Sequence, residues 1–137
     1  MAKHRDAAPP AVTWQDHPEE HDYPAAASYL SLVADPATVA ATVEAFHTAT
    51  TAHYKAKDIL RAARLPLLPE TNPHVRSDLA KVRDAKPLSP VLMVRGDASA
   101  GHPAQIADGY HRVCASYLTD ENTDVSVRLV DLAAPRP

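Results

Sequence analysis

Ala104-Gln-Ile-Ala-Asp-Gly-Tyr-His-Arg-Val-Cys-Ala-Ser-Tyr-Leu118 changes character midway. Gln105 to Ala107 reads as the end of a strand. Val113 to Leu118 reads as a helix with Val113, Tyr117 and Leu118 as its apolar positions. Between them Asp108-Gly109-Tyr110-His111-Arg112 places polar groups at a strand-to-helix junction. The first N–H groups of a helix lack intrahelical partners and the helix dipole is positive there, so such a junction can receive an anion. Glycine permits close backbone approach, and an arginine three residues on can turn its planar fork toward a phosphate. Gly109 and Arg112 have that spacing.

Working outward, Val91 to Arg95 is an apolar strand and Gly96 to Pro103 a turn-rich loop, so the chain into Ala104–Ala107 predicts a hairpin. After a polar turn at 119–124, Val125 to Val130 alternates with period two and predicts a half-buried strand. A helix is expected at about Ser77 to Lys86. In the amino half, a short helix is expected from Pro24 to Val33. Asp35-Pro36 is a strong helix start, and Val39, Val43, Phe46 and Thr50 share one helical face, carrying the expected helix to about Lys55. Lys57 to Arg64 reads as a further helix stopped by Leu65-Pro66. The expected class is α+β, with a small mixed sheet and an added helical layer. The expected organisation is a flexible tail over 1–21 with docking through Val12 and Trp14, a helical extension over 22–64, a core over 65–131, and a tail over 132–137.

Asp108-Gly109-Tyr110-His111-Arg112 resembles the Gly-x-x-Arg box of the ParB/sulfiredoxin superfamily, in the Asp-Gly-x-His-Arg form of its free serine kinases. Upstream, Leu68-Pro-Glu-Thr-Asn-Pro-His-Val-Arg76 resembles the Asn-Pro…Arg entry segment of ParB-like domains, and Leu88-Ser-Pro-Val-Leu-Met-Val-Arg95 resembles the element in which a proline precedes an apolar strand. The resemblance covers about Leu65 to Val130. It implies a ParB/sulfiredoxin-like core that binds a nucleoside triphosphate, ATP or CTP, with Mg²⁺. The implied cofactor-binding residues are Gly109, Tyr110, His111, Arg112, Arg76 and Asn72. Asp108 is either the Mg²⁺ ligand or a turn-capping carboxylate. As catalytic candidates the reading assigns Asp108, His111 as donor or proton shuttle, and Glu70 as base for a small-molecule or protein acceptor. Tyr110 stands where sulfiredoxins place a cysteine, so sulfinic-acid repair is not expected. Cys114 replaces a late arginine of the ParB box, and the chain shows no helix-turn-helix segment, so partition-complex function is not expected either. The alternatives are a non-catalytic protein-interaction module and a ParB-like DNA-associated protein.

Composition bounds these readings. The 137 residues fit one domain with a single core. A net charge of -3 lacks the basic signature of a nucleic-acid binder. One cysteine fits a reducing compartment, and neither an apolar run long enough to span a membrane nor a signal peptide is visible, so a cytoplasmic setting is expected. His17-Pro-Glu-Glu-His21 matches an inverted zinc-protease motif, but Pro18 opposes the helix it needs and no third ligand is evident. His47 and His53, six residues apart, fall on different faces. Lys57, Arg61 and Arg64, with Lys55 nearby, form a basic cluster, read either as a solvated face or as a clamp on nucleotide phosphates. Cys114 is expected to face the interior.

Overall fold

The computed structural model describes residues 11–133. It is an α+β arrangement around one mixed four-stranded sheet. The elements are α1 (Asp22–Leu30), α2 (Pro36–Thr48), β1 (Thr51–Lys55), α3 (Ala56–Ala63), α4 (Pro73–Arg83), β2 (Val91–Val94), β3 (Gln105–Asp108), α5 (Tyr110–Thr119) and β4 (Asp124–Val130). The strand order is β1-β4-β2-β3, with β4 and β2 parallel and both outer pairs antiparallel.

The hairpin forms as read, Val94 facing Gln105 and Leu92 facing Asp108. Asp35 caps α2, its carboxylate accepting from the Thr38 amide at 2.8 Å. That helix stops at Thr48, short of the expected Lys55. Ala49 turns to extended backbone, and Thr51–Lys55 pairs residue for residue with Arg128 to Asp124. The helical period through Thr50 hides this strand, because a strand at a sheet edge owes its conformation to its partner more than to its own propensity. β1 also makes the sheet continuous across the division expected at residue 64.

Helices cover both faces of the sheet. On one, Val91, Met93, Val125 and Val127 pack with Ile59, Leu60, Val75 and Val113 from α3, α4 and α5. On the other, Leu92, Val94 and Ala107 pack with Leu30 and Phe46 from α1 and α2. β4 is therefore not half-buried: Val125 through Arg128 are all buried, with Arg128 beneath the last turn of α2. Arg128 donates through Nη1 to the carbonyls of Phe46 (3.0 Å) and His47 (3.3 Å) in the last turn of α2. A cation there satisfies carbonyls with no helical partner and meets the negative end of the dipole.

Residues 11–21, expected within a flexible tail, are tied down at Trp14, which bridges in parallel to Leu88. Leu88 donates to Thr13 O and accepts from Gln15 N, and the Trp14 indole donates to Asp124 O at 3.1 Å. Trp14 is thus an anchor, as its expected docking role required. Residues 1–10 and 134–137 of the two expected tails lie outside the described residues.

Arg128→Met keeps the aliphatic bulk but strips the α2 carbonyls of their donor. It should cost about 1–3 kcal/mol, read as a lower urea midpoint at unchanged slope; an unaltered midpoint would refute the capping role.

Candidate functional site

The Asp108–Arg112 junction borders a polar cleft of ≈ 240 Å³. β3 ends at Asp108, Gly109 turns at φ 111, and α5 begins at Tyr110. Asp108, Gly109, His111 and Arg112 form one wall. The other is α4, which presents His74, Ser77, Asp78 and Lys81 at helical spacings of three, one and three. Ser77, Asp78 and Lys81 fall within the expected helix, but only the packing of α4 on α5 brings that face to the junction. Extending the helix back to the Asn72-Pro73 cap signal would have added His74 alone.

Arg112 does not reach outward. Its Nη2 sits 3.1 Å from Asp108 Oδ2, 3.3 Å from the Pro90 carbonyl and 3.9 Å from Asp22 Oδ2, and its side chain is 15% exposed. Asp22, at the start of α1, is buried and also accepts from the Glu19 amide at 3.0 Å. Nothing local in the sequence marks it. The glycine serves this inward turn: a Cβ on Gly109 would fall 2.8 Å from Arg112 Nη2 and 2.9 Å from a Val91 methyl, on a backbone φ that side chains rarely adopt. Two carboxylates share one guanidinium, and Arg112 Nε is buried without a hydrogen-bond partner among the described residues.

The other expected site residues disperse. Asn72 caps α4, its side-chain oxygen accepting from the His74 and Val75 amides. Glu70 and Arg76 are exposed and do not line the cleft; Arg76 lies on another face of α4. Tyr110 packs against the core and its hydroxyl donates to Pro66 O at 2.5 Å. Arg61 and Arg64 of the basic cluster line a different cleft beside Gly96 and Ala104. Because Val94 pairs with Gln105 and Leu92 with Asp108, that cleft lies at the opposite end of the hairpin from Gly109, so these arginines do not clamp a ligand there. His17 Nδ1 meets Arg128 at 2.9 Å while His21 meets Asp22 at 3.4 Å, so the two histidines of the protease-like motif serve different partners. His47 stacks on Tyr23, and His53 lies on β1. Cys114 is buried, with its thiol pushed up by burial and its sulfur accepting from the Leu68 amide.

Three titratable groups that line this cleft have displaced equilibria, a trait that functional sites share with structural ion-pair networks. Burial raises Asp78 against the pull of Lys81, whose ammonium is 3.9 Å away. Burial likewise raises Asp108, Arg112 opposing and Asp22 adding to the rise. His111 is lowered, first by burial and then by His74, whose ring centroid is 4.8 Å away. A neutral imidazole at pH 7 can accept a proton. No family model matches the chain, nor does any curated protein or solved structure.

Gly109→Ala should destabilise by about 1–3 kcal/mol through strain and overlap, and Arg112→Ala by about 3 kcal/mol by stranding buried carboxylates. Because Arg112 supplies the nearest clash, the double variant should fall short of the sum by at least about 0.5 kcal/mol in urea unfolding; strict additivity would break the link. For His111 the folded form resists a proton that the unfolded chain accepts, so stability is lost as pH falls from about the ordinary 6.5 through the lowered folded value. His111→Gln should flatten stability against pH in that window, and the His111 ring should titrate below 6.5 by NMR.

Proposed function

We propose that the cleft between α4 and the start of α5 holds the phosphate end of a nucleotide as its Mg²⁺ complex, in a nucleotide-dependent phosphotransferase or NTPase switch. One observation carries this reading: the start of α5 opens into a cleft whose lining mixes Asp78 and Asp108 with Lys81, His74 and His111. A bare anion would be repelled by those carboxylates, and a bare cation by the lysine. A phosphate with a divalent cation suits both, since hard oxygen ligands shared between carboxylate and phosphate are the usual shell of Mg²⁺. The likeness of Asp108–Arg112 to the kinase box of the ParB/sulfiredoxin superfamily supports the same reading.

The residues fit such an ion in part. Among the described residues no three His, Cys, Asp or Glu side chains form a ready-made metal cluster, so Asp78 and Asp108 would supply two oxygens, with phosphate and water completing the shell. The ion would neutralise phosphate charge. Lys81 and the first amides of α5 would orient the phosphate, and neutral His111 would accept the proton of an acceptor hydroxyl, a role better placed than exposed Glu70. The volume of ≈ 240 Å³ is below the ~300–1,000 Å³ usual for whole-ligand sites, which leaves the base of ATP or CTP outside the cleft. A cytoplasmic setting belongs to the same proposal; among the described residues no helix is long and apolar enough to cross a membrane. A second reading, a protein-interaction module, is favoured by the exposed Leu32 and Val33 at the end of α1.

Calorimetric titration of ATP and CTP, with and without Mg²⁺, separates the two. The first reading expects Mg²⁺-dependent binding, weakened about tenfold by Lys81→Ala and stripped of its Mg²⁺ dependence by Asp78→Asn. Folded wild-type protein that binds neither nucleotide would overturn it.

A further inference from the structure

β2 and β4 run parallel, and their carboxyl ends open beside α3 into a groove of ≈ 230 Å³. Its walls are largely apolar: Ile59 and Ala62 from α3, Met93 and Leu129 from the sheet, and Ala104 at the return of the hairpin, with half-exposed Tyr54 of β1 beside them. An apolar cavity of about 150 Å³ accepts benzene. This groove has room for one aromatic ring with a substituent.

A second cleft of ≈ 330 Å³ adjoins it and shares Ala62, Gly96 and Ala104. Backbone fills the space at Gly96, where a Cβ would fall 2.6 Å from Ala104 N and His102 O, and Ala104 N donates to Ala62 O at 3.0 Å, so the two clefts meet over the exposed Ala62 wall. This cleft brings Arg61 and Arg64 of the basic cluster beside the groove, and no member of that cluster lines the α4–α5 cleft. Across both, three arginines, Arg61, Arg64 and Arg95, stand beside two carboxylates, Asp58 and Asp131. Asp58 pairs with Arg61 at 3.3 Å and Arg95 pairs with Asp131 at 3.0 Å. Arg64 is left with a long 3.5 Å bond to the Gly101 carbonyl. In a chain of net charge -3 this is a local positive excess beside an apolar slot. A guanidinium binds a carboxylate or phosphate through paired N–H groups, and an aromatic ring satisfies the apolar walls.

We propose that this groove is a second binding site, taking a single-ring aromatic anion with its ring between α3 and the sheet and its carboxylate or phosphate at Arg61 and Arg64. The site lies at the far end of the hairpin from Gly109 and does not depend on the nucleotide reading.

The test uses the full chain with ¹⁵N-labelled amides and ¹³C-labelled Ile, Leu and Met methyls, titrated with benzoate, phenyl phosphate, benzyl alcohol and benzylamine. Benzoate or phenyl phosphate should shift the Ile59, Met93 and Leu129 methyls saturably, benzyl alcohol more weakly and benzylamine least. The exposed double change Arg61→Gln with Arg64→Gln should weaken the anions about tenfold and leave benzyl alcohol unaffected. Ala62→Trp, at an exposed position on the wall, should block all of them. The proposal fails if neither anion moves these methyls in folded protein, if benzylamine binds as well as the anions, or if Ala62→Trp leaves anion binding unchanged. Shifts confined to residues around His111 would also overturn it, because they would place phenyl phosphate in the α4–α5 cleft alone.

Discussion

The inward turn of Arg112 is the constraint on which the two halves of the molecule depend. Its guanidinium joins Asp22 from α1, the Pro90 carbonyl before β2 and Asp108 at the end of β3, three segments far apart in sequence. It lies close over Gly109, where a side chain would displace it. Buried ion clusters of this kind contribute little net stability but are costly to break, since losing the cation leaves carboxylates in a poorly solvating medium. Burial, with the Asp22 carboxylate adding to it against the opposing pull of Arg112, explains why Asp108 holds its proton more tightly than an exposed aspartate.

That constraint shapes the chemistry of the cleft. With Arg112 committed internally, the cation left to meet a ligand comes from α4, through Lys81, with the rings of His74 and His111 beside the first amides of α5. The sheet keeps this cleft apart from the arginines of α3: β3 carries Asp108 to one end of the hairpin, while Ala104 marks the other, where β2 and β4 end beside the apolar groove. One short hairpin therefore has a polar, mixed-charge cleft at one end and an apolar, arginine-rimmed groove at the other.

Much of the fold was legible because its signals are local. Asp35-Pro36 starts α2 by capping and by the fixed φ of proline, and the turn-rich 96–103 loop joins two strands whose pairing follows from adjacency. Strand β1 was not legible. Thr51–Lys55 is extended because β4 offers it hydrogen bonds, and the apolar spacing before it continues smoothly as a helix. Ser126 and Arg128 gave β4 the alternation of a half-exposed strand, yet both are buried, Arg128 beneath the carbonyls of α2 that it caps. In the cleft, Gly109, His111 and Asp108 were found from the junction itself. Lys81 and Asp78 lay within the expected helix, but their place in the cleft required the packing of α4 on α5, and Asp22 required the tertiary fold.

By itself the sequence determined the elements with strong local causes: the capped helices, the β2–β3 hairpin, the Gly109 turn into α5, the interior placement of Cys114, and an α+β class. Capping, φ preference and hydrophobic period act over a few residues and can be read there. Only the tertiary structure decided which way Arg112 points, that β1 completes the sheet, and that Arg61 and Arg64 stand away from Gly109. Those outcomes depend on which distant carboxylate, carbonyl or strand edge reaches each group first, and no local pattern encodes that distance.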